Sequence, residues 1–388
     1  MTATPATLTE RDERFARVRD AMAERELDAL VIGGKGHWWT GRGYIRYLTD
    51  FHLWAHDALL VFPAQGEPAV ALTSYAVAGL LAERGWVTDA GGDVFLVPRT
   101  LRSLEQRKLT RGRIGIVGTE WIIPVDLHRS LAEGLPSAEL VGADDLMNLV
   151  RMPKSELEIE QNREVWALAK SAMERFAEVA RPGATQLELS AEACRVALAG
   201  GARDLLVLMS ETPGRMAPPD DVPVRCDDAL RYHMEISGPS GHWCELTITL
   251  AYRAADDGEA RLMDTELRAL DAVRAAAKPG VRVSELAQVF EDTIRADGWQ
   301  LGPPTQHFDF HGQGQDVIEL PWYAAEQPWG SAGDAPLPVG GIVSYHPARR
   351  IEPHVGWTPG ISDNLLVTAE GGEWLSGDWS HRFREAAA

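Results

Sequence analysis

Arg181-Pro182-Gly183, with Glu188-Leu189 behind it and Ala199-Gly200-Gly201 further on, is the stretch on which the fold turns. It returns as Lys278-Pro279-Gly280, Glu285-Leu286 and Ala296-Asp297-Gly298, each matching position 97 residues later. Both copies read as the end of one helix, a proline–glycine turn, and a second helix closed at glycine. Several matches at one constant offset predict a duplicated unit of two helices plus strands, with a pseudo-two-fold axis between the halves.

Upstream of the first copy, Arg151-Met152-Pro153-Lys154 marks a boundary. Ser155 and Glu158 then have the spacing of a capping box, which opens a long helix. Its inward face carries Leu157, Val165, Leu168, Ala172, Phe176 and Val179. Before the boundary, residues 10–27 place Phe15, Val18, Met22 and Leu27 on one helical face. Apolar runs at 29–33, 58–62, 69–72 and 115–118 read as buried strands. Helices alternating with strands predict an α/β N-terminal domain over 1–152 and an α+β C-terminal domain over 153–388.

The 388 residues suit two domains rather than one core. A net charge of −19 repels nucleic acid and anionic membranes, so neither is expected as a partner. There is no signal-peptide pattern at the N-terminus and no apolar run long enough to span a bilayer. Three cysteines, Cys194, Cys226 and Cys244, fit reduced thiols and a cytoplasmic location better than a disulfide framework.

Five further segments sit in a telling order: Tyr44-Ile45-Arg46-Tyr47-Leu48-Thr49-Asp50-Phe51, Arg151-Met152-Pro153-Lys154-Ser155, Phe310-His311-Gly312-Gln313-Gly314, Ile342-Val343-Ser344-Tyr345-His346-Pro347 and 360–368. With the 97-residue repeat, the set resembles the creatinase, prolidase, aminopeptidase P and methionine aminopeptidase family. That resemblance covers nearly the whole chain. It implies a creatinase-type N-domain, a pita-bread C-terminal domain and a homodimer.

Family metallopeptidases hold two divalent metals with two aspartates, a histidine and two glutamates. Carried onto this chain, the aspartate positions fall at His233 and Cys244, the histidine at His311, and the glutamates at His346 and Ser362. Such a set has lost its carboxylates, so a standard two-metal peptidase site is not expected. Cys244, His311 and His346 share one metal in the family geometry, and that trio suits a single Zn²⁺ or Fe²⁺. The resemblance to creatinase, which works without metal, leaves a second route open. There, His233, His311 and His346, with Glu235 or Glu245, perform acid–base catalysis and no cofactor is needed. A one-residue slip in the strand pairing would turn Glu245 inward and restore a carboxylate.

Trp38, Trp39 and Tyr44 lie in a glycine-flanked basic segment, and are candidates to wall a substrate pocket or to pack in a core. Arg349 is a candidate to hold a substrate carboxylate, or a solvated turn residue. The expected function is a small-molecule enzyme that hydrolyses or rearranges a C–N bond. An Xaa-Pro metallopeptidase and an inactive binding protein are the alternatives.

Overall fold

The computed structural model describes residues 5–36, 41–212, 216–304, 310–324, 327–328, 333–346, 349–353, 356–357, 360–377, 379–381 and 384–385. The chain divides into two compact units, Met1–Arg151 and Met152–Ala388.

The first unit runs α1 (Pro5–Glu24), β1 (Ala29–Lys35), α2 (Arg42–Thr49), β2 (Asp57–Pro63), β3 (Ala69–Leu72), α3 (Tyr75–Arg84), β4 (Asp89–Gly92), α4 (Leu96–Gln106), β5 (Gly112–Val117), α5 (Val125–Gly134), β6 (Ala138–Gly142) and α6 (Asp144–Arg151). Its strands form one mixed sheet in the order β4-β3-β2-β1-β5-β6. Leu30 and Ile32 join Phe15, Met22 and Phe62 on one side, while Ala29 and Val31 join Leu104, Ile114 and Leu131 on the other. A continuous apolar run is what a strand covered on both faces requires. The helix expected over 10–27 begins earlier and stops at Glu24, with Glu26 turning to φ 55°.

The second unit runs α7 (Glu156–Val179), α8 (Gln186–Ala199), β7 (Asp204–Ser210), β8 (Ala229–Ser237), β9 (Trp243–Ala251), α9 (Asp257–Ala276), α10 (Val283–Ala296), β10 (Gln300–Pro304), β11 (Phe310–Gly312), β12 (Glu319–Ala324), β13 (Gln327–Pro328), β14 (Ile342–Tyr345), β15 (Arg349–Glu352), β16 (Asp363–Val367), β17 (Gly372–Trp374) and β18 (Arg384–Glu385). Helices α7 and α8 share an apolar cluster with β8 and β9 of the sheet β18-β9-β8-β7. Helices α9 and α10 share another with β11, β14, β16 and β17 of the sheet β13-β12-β11-β14-β16-β17. A helix pair on a sheet thus occurs twice.

The repeat in the sequence has a physical cause at each position. Gly183 and Gly280 take φ of 83° and 93°, which a side chain would strain. Glu188 and Glu285 each accept a 2.8 Å bond from the backbone N–H three residues back, closing the first turn of α8 and of α10. Ser155 and Glu158 form the same reciprocal cap on α7. Among the described residues, no helix is long and apolar enough to cross a membrane.

Candidate active site

Strands β8 and β9 form an antiparallel hairpin whose register pairs Arg231 with Thr249, His233 with Thr247, Glu235 with Glu245, and Ile236 with Cys244. Directly opposed residues project to the same side of a sheet, and neighbours in a strand to opposite sides. One face therefore carries Leu230, Tyr232, Met234, Ile236, Cys244, Leu246, Ile248 and Leu250, all in the cluster beneath α7 and α8. The other carries Arg231, His233, Glu235, Glu245, Thr247 and Thr249.

Two expectations are corrected by this register. Cys244 does not join the histidines: its thiol is buried on the apolar face. Burial pushes that thiol well above its ordinary pKa, and the charges of Asp363 and Glu245 add to the shift. The carboxylates are not lost either, because Glu235 and Glu245 face each other across the hairpin. The physical reason lies in the loop. Gly238 to His242 close the hairpin beyond the Ser237–Trp243 pair, and a loop of this length leaves residues of one face an even number apart, so His233 and Cys244 point to opposite sides. The alternation Cys244-Glu245-Leu246-Thr247-Ile248-Thr249-Leu250 carries the same information. Read as a half-buried strand, it assigns Glu245 and both threonines to one side.

Two further side chains reach Glu245 from the other sheet. His311 on β11 places Nε2 3.3 Å from Glu245 Oε2. His346, just past β14, places Nε2 3.8 Å from Glu245 Oε1. Their rings are 5.3 Å apart between centroids. Ser344 Oγ donates to Glu245 Oε2 at 2.8 Å. His311 Nδ1 lies 3.0 Å from the Gly312 carbonyl oxygen. A carbonyl only accepts, so Nδ1 carries the proton there and Nε2 is turned towards Glu245.

His233 bridges two partners. Its Nδ1 lies 2.9 Å from Thr247 Oγ1, and its Nε2 lies 3.1 Å from Glu235 Oε1 and 3.9 Å from Glu245 Oε1. Thr247 Oγ1 donates onward to Ser362 Oγ at 2.9 Å, so it accepts from His233. With carboxylates at Nε2, both ring nitrogens are donors.

Charge follows geometry. Burial opposes protonation of His233, but its bond to Glu235 and the charges of Glu245 and Glu235 outweigh this and raise its pKa. Burial likewise opposes His311, and its bond to Glu245 with that group's charge raises it. His346 goes the other way: burial first, then repulsion by His311 and His233, lower it to about 4 against the pull of Glu245. Burial would raise Glu245, yet His346, His311 and His233 hold it well below the ordinary carboxylate range.

Two groups of donor atoms result, each within 4.8 Å: Glu245, His311 and His346, and His233, Glu235 and Glu245. The first fits a transition-metal ion. It joins two imidazoles to one carboxylate, and His346 stays neutral. The carbonyl at His311 Nδ1 is the kind of support that orients a ligating histidine.

The remaining predicted residues fall elsewhere. Tyr44 is buried in the core of the first unit, its hydroxyl donating to Asn148 Oδ1 at 2.6 Å and its ring beneath the Arg151 guanidinium. That placement corrects its assignment to a substrate wall in favour of core packing, the alternative its sequence setting left open. Trp38 and Trp39 lie outside the described residues. Arg349 opens β15, opposite Pro304, and its side chain is likewise outside them.

Residues 160–369 match the family described as metallopeptidase family M24, and residues 14–153 match the creatinase/prolidase N-terminal domain. A provisionally named dipeptidase of Bacillus subtilis is 25% identical over 92% of this chain and 96% of its own length. An ectoine hydrolase of Halomonas elongata is 23% identical over 96% of each chain. The structure resembles X-Pro aminopeptidase from Thermotoga maritima, with TM-score 0.76 and 18% identity over 93% of this chain and 96% of that one. Dipeptidase PepE from Mycobacterium ulcerans gives 0.75 and 19% over 98% and 99%. These structural likenesses are of fold.

Proposed function

We propose that this chain, which belongs to metallopeptidase family M24, is a hydrolase that cleaves a C–N bond in a small molecule, using one divalent transition metal held by Glu245, His311 and His346. The observation that carries this is the convergence of two imidazole Nε2 atoms on the Glu245 carboxylate. Separations of 3.3 and 3.8 Å suit three donor atoms gathered round one ion, and His346, held neutral, keeps a lone pair to offer. Relatives named as a dipeptidase and an ectoine hydrolase support a small substrate. When bound, such an ion supplies Lewis acidity to a carbonyl-type group.

The chain's own groups divide the proton work. Glu235, part-exposed beside His233, takes a proton from the water whose hydroxyl joins the acyl carbon. As the C–N bond breaks, the leaving nitrogen takes a proton from His233 Nε2. The proton on Glu235 then returns to His233 across their 3.1 Å contact, restoring the start. Thr247 and Ser362 fix the ring while this happens. His233 as imidazolium also supplies positive charge beside Glu235 and Glu245, where a two-metal site would place its second ion. That favours one ion here. The metal-free route keeps one observation of its own: Thr247, His233 and Glu235 form a complete proton relay without any ion.

Metal content of protein purified without chelator or nickel distinguishes the two. One equivalent of zinc or iron per chain is expected, lost in His346→Ala and retained in Cys244→Ser. A metal-free protein that hydrolyses its substrate, or loss of metal in Cys244→Ser, rejects the assignment.

A further inference from the structure

Resting on the single-metal reading above, we propose that Lys154 and Glu319 are positioning residues for the metal site: their buried ion pair fixes the turn behind His311 and, through it, the placing of His311 and His346 against Glu245.

Glu245 belongs to one sheet and His311 to another, with His346 just past a strand of that second sheet. The backbone ladder within either sheet does not set the distance between them. A backbone bond from outside the ladders does join them: Trp243 N–H donates to the Gly314 carbonyl oxygen at 2.8 Å. Trp243 stands two residues before Glu245, and Gly314 three residues after His311. The placing of Gly314 therefore bears on both.

Glu319 shapes the turn that holds Gly314. Its Oε1 accepts from the backbone N–H of Gln315 at 2.8 Å and of Asp316 at 3.2 Å. Glycine at 314 leaves room for the carboxylate, since a Cβ there would stand 2.4 Å from Glu319 Oε2. In the β11–β12 register Glu319 is the partner of Gly312, whose carbonyl faces His311 Nδ1.

Lys154 reaches this turn from the start of the second unit. Its Nζ donates to Glu319 Oε2 at 2.9 Å, and the two side chains are only 3% and 6% exposed. Its backbone N–H donates to the Gly340 carbonyl oxygen at 3.1 Å. Gly340 has φ 80°, and a Cβ there would meet the Lys154 carbonyl oxygen at 2.6 Å. Two residues further on, Ile342 opens β14, which carries Ser344 and leads to His346. One residue thus holds the turn after His311 with its side chain and the approach to β14 with its backbone.

A buried ion pair gives up the hydration of both charges, and an uncharged pair of similar size often serves stability as well. What an uncharged pair lacks is direction. The Glu319 carboxylate accepts from three donors at once, which ties the turn to one arrangement. Neither Lys154 nor Glu319 is in either group of donor atoms, so both act through the turn.

The test uses the full chain with Lys154→Met and Glu319→Gln combined, which removes both charges and leaves neither stranded. Co²⁺ affinity is followed by visible absorption, stability by urea unfolding, and amide exchange by mass spectrometry on metal-free protein. The double variant should unfold at the wild-type urea concentration or above. Its Co²⁺ affinity should fall about tenfold or more. Exchange should quicken about tenfold or more in residues 311–319 and stay unchanged in residues 165–176 of α7. Lys154→Arg, which keeps the charge, should restore most of the affinity. Gly340→Ala, which displaces Lys154 with both charges intact, should lower it. Wild-type exchange across 311–319 in the double variant overturns the proposal. So does Co²⁺ bound as tightly as by wild type, and so does a loss of Co²⁺ that only follows a loss of stability. If wild type itself takes up no Co²⁺, the metal reading fails and the exchange result alone decides the role of the pair.

Discussion

In the first half of the second unit, the polar residues of the site sit in mid-strand, alternating with a core. In the second half, His311 lies on a three-residue strand and His346 just past the end of one. Both halves have a helix pair packed on a sheet, yet they deliver side chains differently. A mid-strand residue is aimed by register, so the same hairpin that buries Leu246 must present Glu245 and Thr247. A residue at a strand end is aimed by local contacts, such as the Gly312 carbonyl at His311 Nδ1. The hairpin thus ties site geometry to core packing, and the other sheet separates them.

The largest expected break in this contrast is Glu245→Gln, which keeps the shape and removes the charge on which three histidines converge. kcat/KM should fall about a thousandfold or more, with metal lost and the fold intact by circular dichroism. A variant retaining a tenth of wild-type activity would contradict the central place of Glu245. Next comes its neighbour. Leu246→Ala opens a cavity on the opposite face and should cost about 3 kcal/mol of stability in urea unfolding, with little change in metal content at temperatures where the chain is folded. Equal losses of metal in the two variants would erase the distinction between the faces.

A smaller effect sharpens the boundary of the site. Glu266 has its folded pKa raised to about 7 by burial, against the charge of Arg231, and its Oε2 has no hydrogen-bond partner among the described residues. The folded chain therefore binds this proton more tightly than the unfolded chain does. Its contribution is greatest below the ordinary value of 4.5 and is lost as pH rises to about 7. Glu266→Gln should leave stability at pH 4.5 nearly unchanged and raise it by about 1–3 kcal/mol at pH 8, relative to wild type. A constant difference between the two proteins across that range would show that the carboxyl does not titrate there.

Much of this is legible in the sequence. The 97-residue echo marks turn glycines with positive φ and glutamates that cap helices, because both depend on local backbone needs that only a few residue types meet. His233, His311 and His346 stood out as imidazoles in family-like segments. What misled was counting along the chain from His233 to Cys244, since a hairpin's faces depend on the length of its loop, and one residue reverses them. The apolar–polar alternation through 244–250 is the stronger signal, because an unpaired carboxylate on an apolar face is costly. Arg231 gives no such signal: its surroundings, Trp357, Thr249 and Gly360, lie far from it in sequence.

Glu245 belongs to both constellations at once, and that has a thermodynamic consequence. Any cation resting against His311 and His346, whether a proton or an ion, draws on the same two oxygens that support the charge of His233. Strengthening one neighbourhood weakens the other, and the effect is mutual. Cation affinity on one side and proton affinity on the other are therefore joined by a shared carboxylate, so that neither can drift without the other following.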